Sequence, residues 1–233
     1  MKNIRNTDAQ TGLKAGMAAG FMFMIADWLI DIKGAGNTEV GMFGESNWGS
    51  MSPWRFEASI LVSFLAMPLL WIGYKELIKA VEKSSSAKVP ACPGCASVFR
   101  LCAQSTLMFT YFIHVMCCLC PIIFKVCTAQ GLAEETAYAV VDGMGMYIIV
   151  PFMVSYMILL LGLSVPLMHM IRVRNMEVPM YMILFNPLCT LLLAQLMKLV
   201  TPWPVHDLLA ACASFGLVLM FAAGMKAEKL LRR

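Results

Sequence analysis

Six apolar runs, each of about twenty residues or more, constrain this chain more than any motif does, because a run of that length crosses a ~30 Å hydrocarbon core as a helix. They lie at about residues 13–32, 53–74, 103–126, 144–171, 179–199 and 205–225. Inside a bilayer the backbone must satisfy its own polar groups, so each run is read as helix. Composition agrees: 60% of residues are hydrophobic and 14% charged, against about 45–50% and about 25% in soluble domains. The expected fold is all-α, a polytopic membrane bundle of six transmembrane helices in which residues 1–233 form one integral membrane domain. The first run has no small-residue cleavage site and continues into Asp27 and Asp31, which marks a retained span rather than a signal peptide.

Lysine and arginine set the orientation. The N-terminal, second-to-third, fourth-to-fifth and C-terminal segments hold fourteen of the eighteen basic residues against five acids. The opposite side holds only Lys33, Arg55, Lys125 and Lys198 against nine acids. The positive-inside rule then places both termini in the cytoplasm. The basic side includes Lys75, Lys79, Lys83 and Lys88 around a serine run, Arg172 and Arg174 after the fourth span, and a basic tail. That pattern is a cytoplasmic-face signature and argues against a nucleic-acid partner.

The acids gather at the other end. In Ala26-Asp27-Trp28-Leu29-Ile30-Asp31 two carboxylates sit at i and i+4 on one helix face, Asp27 about one turn deeper. An aspartate at the centre of a span costs ~2.5–3.5 kcal/mol on insertion scales, and less near the interface. The two acids also repel each other, so a partner is expected. Arg55, in Ser52-Pro53-Trp54-Arg55-Phe56-Glu57 at the start of the second span, is the best-placed cation. Lys125 and Lys198 are alternatives, and Glu57 adds to the acidic side. Two readings stay open. Either Asp27 and Arg55 form an ion pair that locks the first two spans, or these groups line an outward-opening cavity with Tyr111, His114 and Asn186. Gly16 and Gly20 share the stripe of Asp27 and Asp31 and read as a close-packing face, through which an oligomer could also form.

In the third span Gln104, Leu107, Tyr111, His114, Cys118, Pro121 and Lys125 fall on one stripe. Such a stripe should face protein or water, since unpaired polar groups are costly in hydrocarbon. His114 is read either as an interior histidine bonded to a neighbouring helix or as a functional group. Pro187 in the fifth span frees the carbonyl of Ile183, which some nearby donor must satisfy. Pro151 and Pro166 predict a bent or tilted fourth span, preceded by a short amphipathic segment over residues 128–143.

Other chemistries find less support. Cys92-Pro93-Gly94-Cys95 is a lone CxxC. A closed zinc site needs four ligands and a redox pair needs a thioredoxin-like context, so two reduced loop thiols are the plain reading and a sensor loop the sharper one. The 21 methionines and Cys117-Cys118-Leu119-Cys120 raise Cu(I). Met-x-Met pairs, however, point about 200° apart on a helix and chelate poorly together. No metal and no cofactor is expected. There is no HExxH, GxSxG or phosphate-cradling glycine loop. An enzyme would therefore have to act on a lipid or sterol-like substrate, with Asp27 or Glu57 as acid and His114 as base.

At Ala26-Asp27-Trp28-Leu29, the glycine-rich loop after it and Trp54-Arg55, the chain resembles a family of six-pass bacterial membrane proteins of unknown function. In that family a Gly-Asp-Trp-Leu motif ends the first span and a Trp-Arg pair opens the second. Ala26 stands where the motif has glycine, a change to packing that leaves the charge alone. The resemblance implies a bacterial cytoplasmic-membrane location and supplies no activity. The leading expectation is a protein embedded in the lipid bilayer that binds or translocates a small polar or amphipathic molecule. A membrane-embedded enzyme and a sensor or assembly partner using the CxxC loop are the alternatives.

Overall fold

Apolar runs become helices and proline-glycine punctuation ends them. The computed structural model describes residues 2–86, 93–202 and 205–231. It contains α1 (Lys2–Asp31), α2 (Trp54–Ser86), α3 (Pro93–Ala129) and α4 (Glu134–Met157). A π-turn over Ile158–Gly162 carries α4 into α5 (Leu163–Arg172). Then come α6 (Pro187–Lys198), α7 (Val205–Leu208) and α8 (Cys212–Leu230), the last two joined by a single 3-10 turn. Five stretches are long and apolar enough to cross a membrane: Ala9–Asp31, Trp54–Ser84, Gly94–Ala129, Glu134–Arg172 and Val205–Leu230. The chain is an all-α, multi-pass membrane protein.

The fifth expected span differs. Residues 179–199 do not form one helix but a 3-10 turn, Met180–Leu184, followed by α6. At 12 residues, α6 is about 18 Å long, short of a ~30 Å core. Pro187 is the cause. It holds Asn186 extended (φ −158°, ψ 161°) and starts a new helix at its own position, where a missing N–H does no harm. A second difference lies at 128–143, where no separate amphipathic segment exists. A tight turn at Gly131 (φ +85°) ends α3, and α4 is already helical from Glu134. Glu134 and Glu135 in its first turn suit the positive end of the helix dipole.

α1 packs along α2 and α8. Its Gly16 meets Gly73 of α2 and Phe221 of α8, and Gly20 lies against Val218 of α8, where a side chain on either glycine would collide. The close-packing face read from the sequence is thus filled by two helices of the same chain. The main core of Leu13, Phe23, Leu70, Tyr74, Phe99, Leu163 and Phe221 runs through the bundle. A second cluster of Trp48, Phe56, Phe124, Tyr138 and Val141 closes the end that carries the α1–α2 loop.

Cys102, Cys117, Cys118, Cys120, Cys127, Cys189 and Cys212 are free thiols, as expected. Cys95 departs from the reduced reading, being disulfide-bonded. Cys92, Lys88, Trp203, Pro204, Arg232 and Arg233 lie outside the described residues.

Candidate functional site

The α1–α2 loop and the last turn of α1 organise everything polar at their end of the bundle. Asp27 points into the bundle rather than toward Arg55. Ser214 of α8 donates to its Oδ2 (2.5 Å), and Nδ1 of His114 from α3 lies 3.4 Å from its Oδ1. His114 is 5% exposed. Its Nε2 is 2.7 Å from Oγ of Ser59 in α2, and its ring meets Phe23 edge-on. Ser59 in turn donates to the carbonyl of Ala26 (2.7 Å) and accepts from Cys118 (3.6 Å).

Counting protons fixes the direction of the bond between His114 and Ser59. A serine has one proton to give, and the Ala26 carbonyl can only accept, so His114 must donate through Nε2. One further proton must then lie between Nδ1 and the Asp27 carboxylate. With Ser214 already donating to the other oxygen, the network ties α1, α2, α3 and α8 at one level. Ser59, His114 and Asp27 are linked in the order of a serine-hydrolase triad, but Ser59 is fully buried with its proton committed to Ala26 O, and neither cavity at this end is lined by any of the three. The arrangement is a lock between helices.

Arg55 takes another task. Its Nη2 donates to the carbonyl of Ile32 (2.7 Å), just past the end of α1, and to that of Trp28 (3.4 Å), which also accepts from Ile32 N (3.2 Å). Asp31 finds its cation in Lys33 at 3.4 Å, and Lys33 also meets Glu45 at 2.5 Å. Asn37 donates to the other Glu45 oxygen at 2.6 Å. Burial alone would lower the Lys33 ammonium below its usual value, but Asp31 and then Glu45 more than offset it, and the net direction is upward.

Glu45 is held by a short hairpin, Glu39–Val40 paired antiparallel with Gly44–Glu45. The hairpin is docked on α4. Asp142 accepts from the backbone of Met42 (3.1 Å) and Phe43 (3.0 Å), a seat that only a glycine at position 41 (φ +65°) leaves open. Phe43 lies on Gly145, where a side chain would displace it, and the Tyr138 hydroxyl donates to the Glu45 carbonyl at 3.0 Å. Trp48 then packs against the stacked pair of Phe124 and Tyr138.

Two cavities flank this hairpin. One, of about 190 Å³, is mostly apolar, with Ile30, Trp48, Met116, Ile148 and Phe152 in its wall. The other, of about 620 Å³, is polar and reaches Gln195, Lys198 and Asp207. Asp31, Lys33 and Glu45 line both. The hollow space therefore lies one turn nearer the loop than expected. Of the seven residues expected to bind a ligand (Asp27, Asp31, Arg55, Glu57, Tyr111, His114 and Asn186) only Asp31 borders it; Asp27 and His114 are joined behind it. Arg55 caps α1, and Glu57 is exposed in the first turn of α2. Tyr111 packs on Phe64 instead of facing His114 (ring centroids 5.9 Å). Asn186 is wholly buried at the start of α6, its amide donating to Ile183 O (2.7 Å) while its oxygen accepts from Cys189 N (3.0 Å). The residue before the proline satisfies the carbonyl that the proline frees.

Sequence reasoning missed Lys33 as the partner of Asp31, and Glu45, Ser59 and Ser214. Lys33 stands two residues beyond Asp31, just past the helix end, a spacing that favours contact once the helix stops. Ser59 and Ser214 carry no signal beyond being small polar residues in apolar runs. A family model described as a family of unknown function (DUF6796) matches residues 1–229. No curated protein and no solved structure matches the chain.

Proposed function

We propose, for a chain that belongs to the DUF6796 family of unknown function, that it binds a small amphipathic molecule at the α1–α2 loop end and passes it between the two cavities there. The observation that carries this reading is the sharing of Asp31, Lys33 and Glu45 by an apolar and a polar cavity. An occupant would lay its apolar body against Trp48, Met116, Ile148 and Phe152, and turn its polar group to the charged trio. Two carboxylates and one ammonium leave that trio with a net negative charge, which favours a cationic or zwitterionic head. In keeping with the lysine and arginine distribution, this end faces away from the cytoplasm and both termini lie inside, in the cytoplasmic membrane of a bacterium.

The test uses medium-chain alkyl diazirines with cationic, zwitterionic and anionic heads, photolysed with the purified full-length protein. Labels are expected on the peptides containing Met116–Pro121 and Ile148–Phe152, strongest with the cationic head and reduced in Asp31→Asn. Uniform labelling along all lipid-facing helices, unchanged by Asp31→Asn, would refute a binding cavity.

A further inference from the structure

At the opposite end, where both termini lie, α5 and α8 finish beside a third cavity of about 490 Å³. Its wall is split. Ile171, Met180 and Leu230 form an apolar side, and Arg174 and Lys226 form a basic side. Neither cation makes an ion pair with another described residue. Glu177 is also on the rim but has an interaction of its own. The neighbouring Asn175 keeps its Nδ2 donor without a partner among the described residues. The cavity wall thus carries two cations against one carboxylate that has an interaction of its own.

Arg174 adds a second observation. It is the one non-glycine residue with positive φ (+56°) among those described, at the turn where α5 ends and the Arg174 N–H returns to Ile171 O. Glycine is the usual occupant of such a helix-terminating turn, and any residue with a Cβ there carries backbone strain. The chain places a guanidinium where glycine would relax the backbone, over a basic cavity at the level where two spans end.

From this geometry we infer a binding site for an anionic phospholipid headgroup. The phosphate takes charge-assisted hydrogen bonds from Arg174 and Lys226, and the glycerol and first acyl carbons lie along Ile171, Met180 and Leu230. A lipid is favoured over a soluble phosphate because half the wall is apolar.

The full-length protein in neutral detergent is titrated with phosphatidylglycerol, phosphatidylcholine or inorganic phosphate, reading the thermal unfolding midpoint and the lipid retained in native mass spectrometry. Phosphatidylglycerol should raise the midpoint and phosphatidylcholine should not. Arg174→Gly should match or exceed wild type without lipid, since glycine relaxes the turn. It should nevertheless bind phosphatidylglycerol about tenfold more weakly, the loss of one charge-assisted contact. Lys226→Ala should weaken binding similarly, while Lys75→Ala with Lys79→Ala, at the same end on α2, should leave it unchanged. Equal shifts with both lipids, or wild-type affinity in Arg174→Gly and Lys226→Ala, would overturn the site. A full shift with inorganic phosphate alone would overturn the lipid as its occupant.

Discussion

Removing His114 should be far more damaging than neutralising Asp27, although the two side chains form one pair. In Asp27→Asn every hydrogen bond survives: the amide oxygen accepts from Ser214, the amide N–H donates to a now neutral His114 Nδ1, and Nε2 still donates to Ser59. Only charge assistance is lost, about 0.5–1.5 kcal/mol. His114→Ala instead leaves a carboxylate in the bundle with Ser214 alone. Stranding one member of a buried pair costs about 3–5 kcal/mol. Equilibrium unfolding in mixed micelles measures both variants. Equal penalties for Asp27→Asn and His114→Ala would refute the pairing of the two side chains.

Three further outcomes follow from the same geometry. Lys33→Met should destabilise the loop end by about 1–3 kcal/mol, leaving Asp31 and Glu45 facing each other without their cation. Because the folded ammonium holds its proton above the ordinary value, its stabilisation is complete below about pH 10.4 and fades as pH rises through the folded value. An alkaline fall in thermal midpoint should accordingly be present in wild type and weaker in Lys33→Met. Asn186→Ala should cost about 1–2 kcal/mol through the lost helix cap. Asn186→Asp still accepts from Cys189 N but turns a carboxylate oxygen on Ile183 O in a wholly buried site, and should cost more than Asn186→Ala in chemical denaturation. Gly41→Ala should drive its methyl into Asp142 and undock the hairpin, read as faster protease cleavage within residues 33–52 with the rest of the bundle intact.

Much of the architecture was legible because a bilayer allows so few solutions. The apolar lengths called for membrane-crossing helices, and the strain at Asn186-Pro187 was visible as a freed carbonyl. What could not be read was that the same asparagine would resolve it and cut the span in two. Asp27 was rightly expected to need a partner, but charge made Arg55 look nearest, at the start of the next span. His114 was on the right stripe, yet pairing it with Asp27 depends on how α3 rotates against α1, which periodicity within one helix does not specify. The cavity eluded sequence reasoning for a related reason. Its walls come from Ile30, Trp48, Met116 and Ile148, ordinary apolar residues whose separation in space leaves no mark on their order.

The two aspartates, one turn apart, show why one level is sealed and the next hollow. Asp27 meets Ser214 of α8 and His114 of α3, and His114 in turn meets Ser59 of α2, so its charge is met from within the bundle. Asp31 is the last residue of α1, where the helix dipole disfavours an acid and the last turn of α1 contains no basic residue. The cations must come from elsewhere: Arg55 reaches the terminal carbonyls from α2, and Lys33 folds back from the loop. Lys33 is then anchored by Glu45, whose position depends on a hairpin seated on α4 rather than on helix packing. A charge compensated by a docked loop leaves space on either side of it, and the loop that creates that space is also the element through which a ligand would have to pass. Undocking the hairpin with Gly41→Ala should therefore alter ligand access while leaving the Asp27–His114 contact, and the stability it supplies, in place.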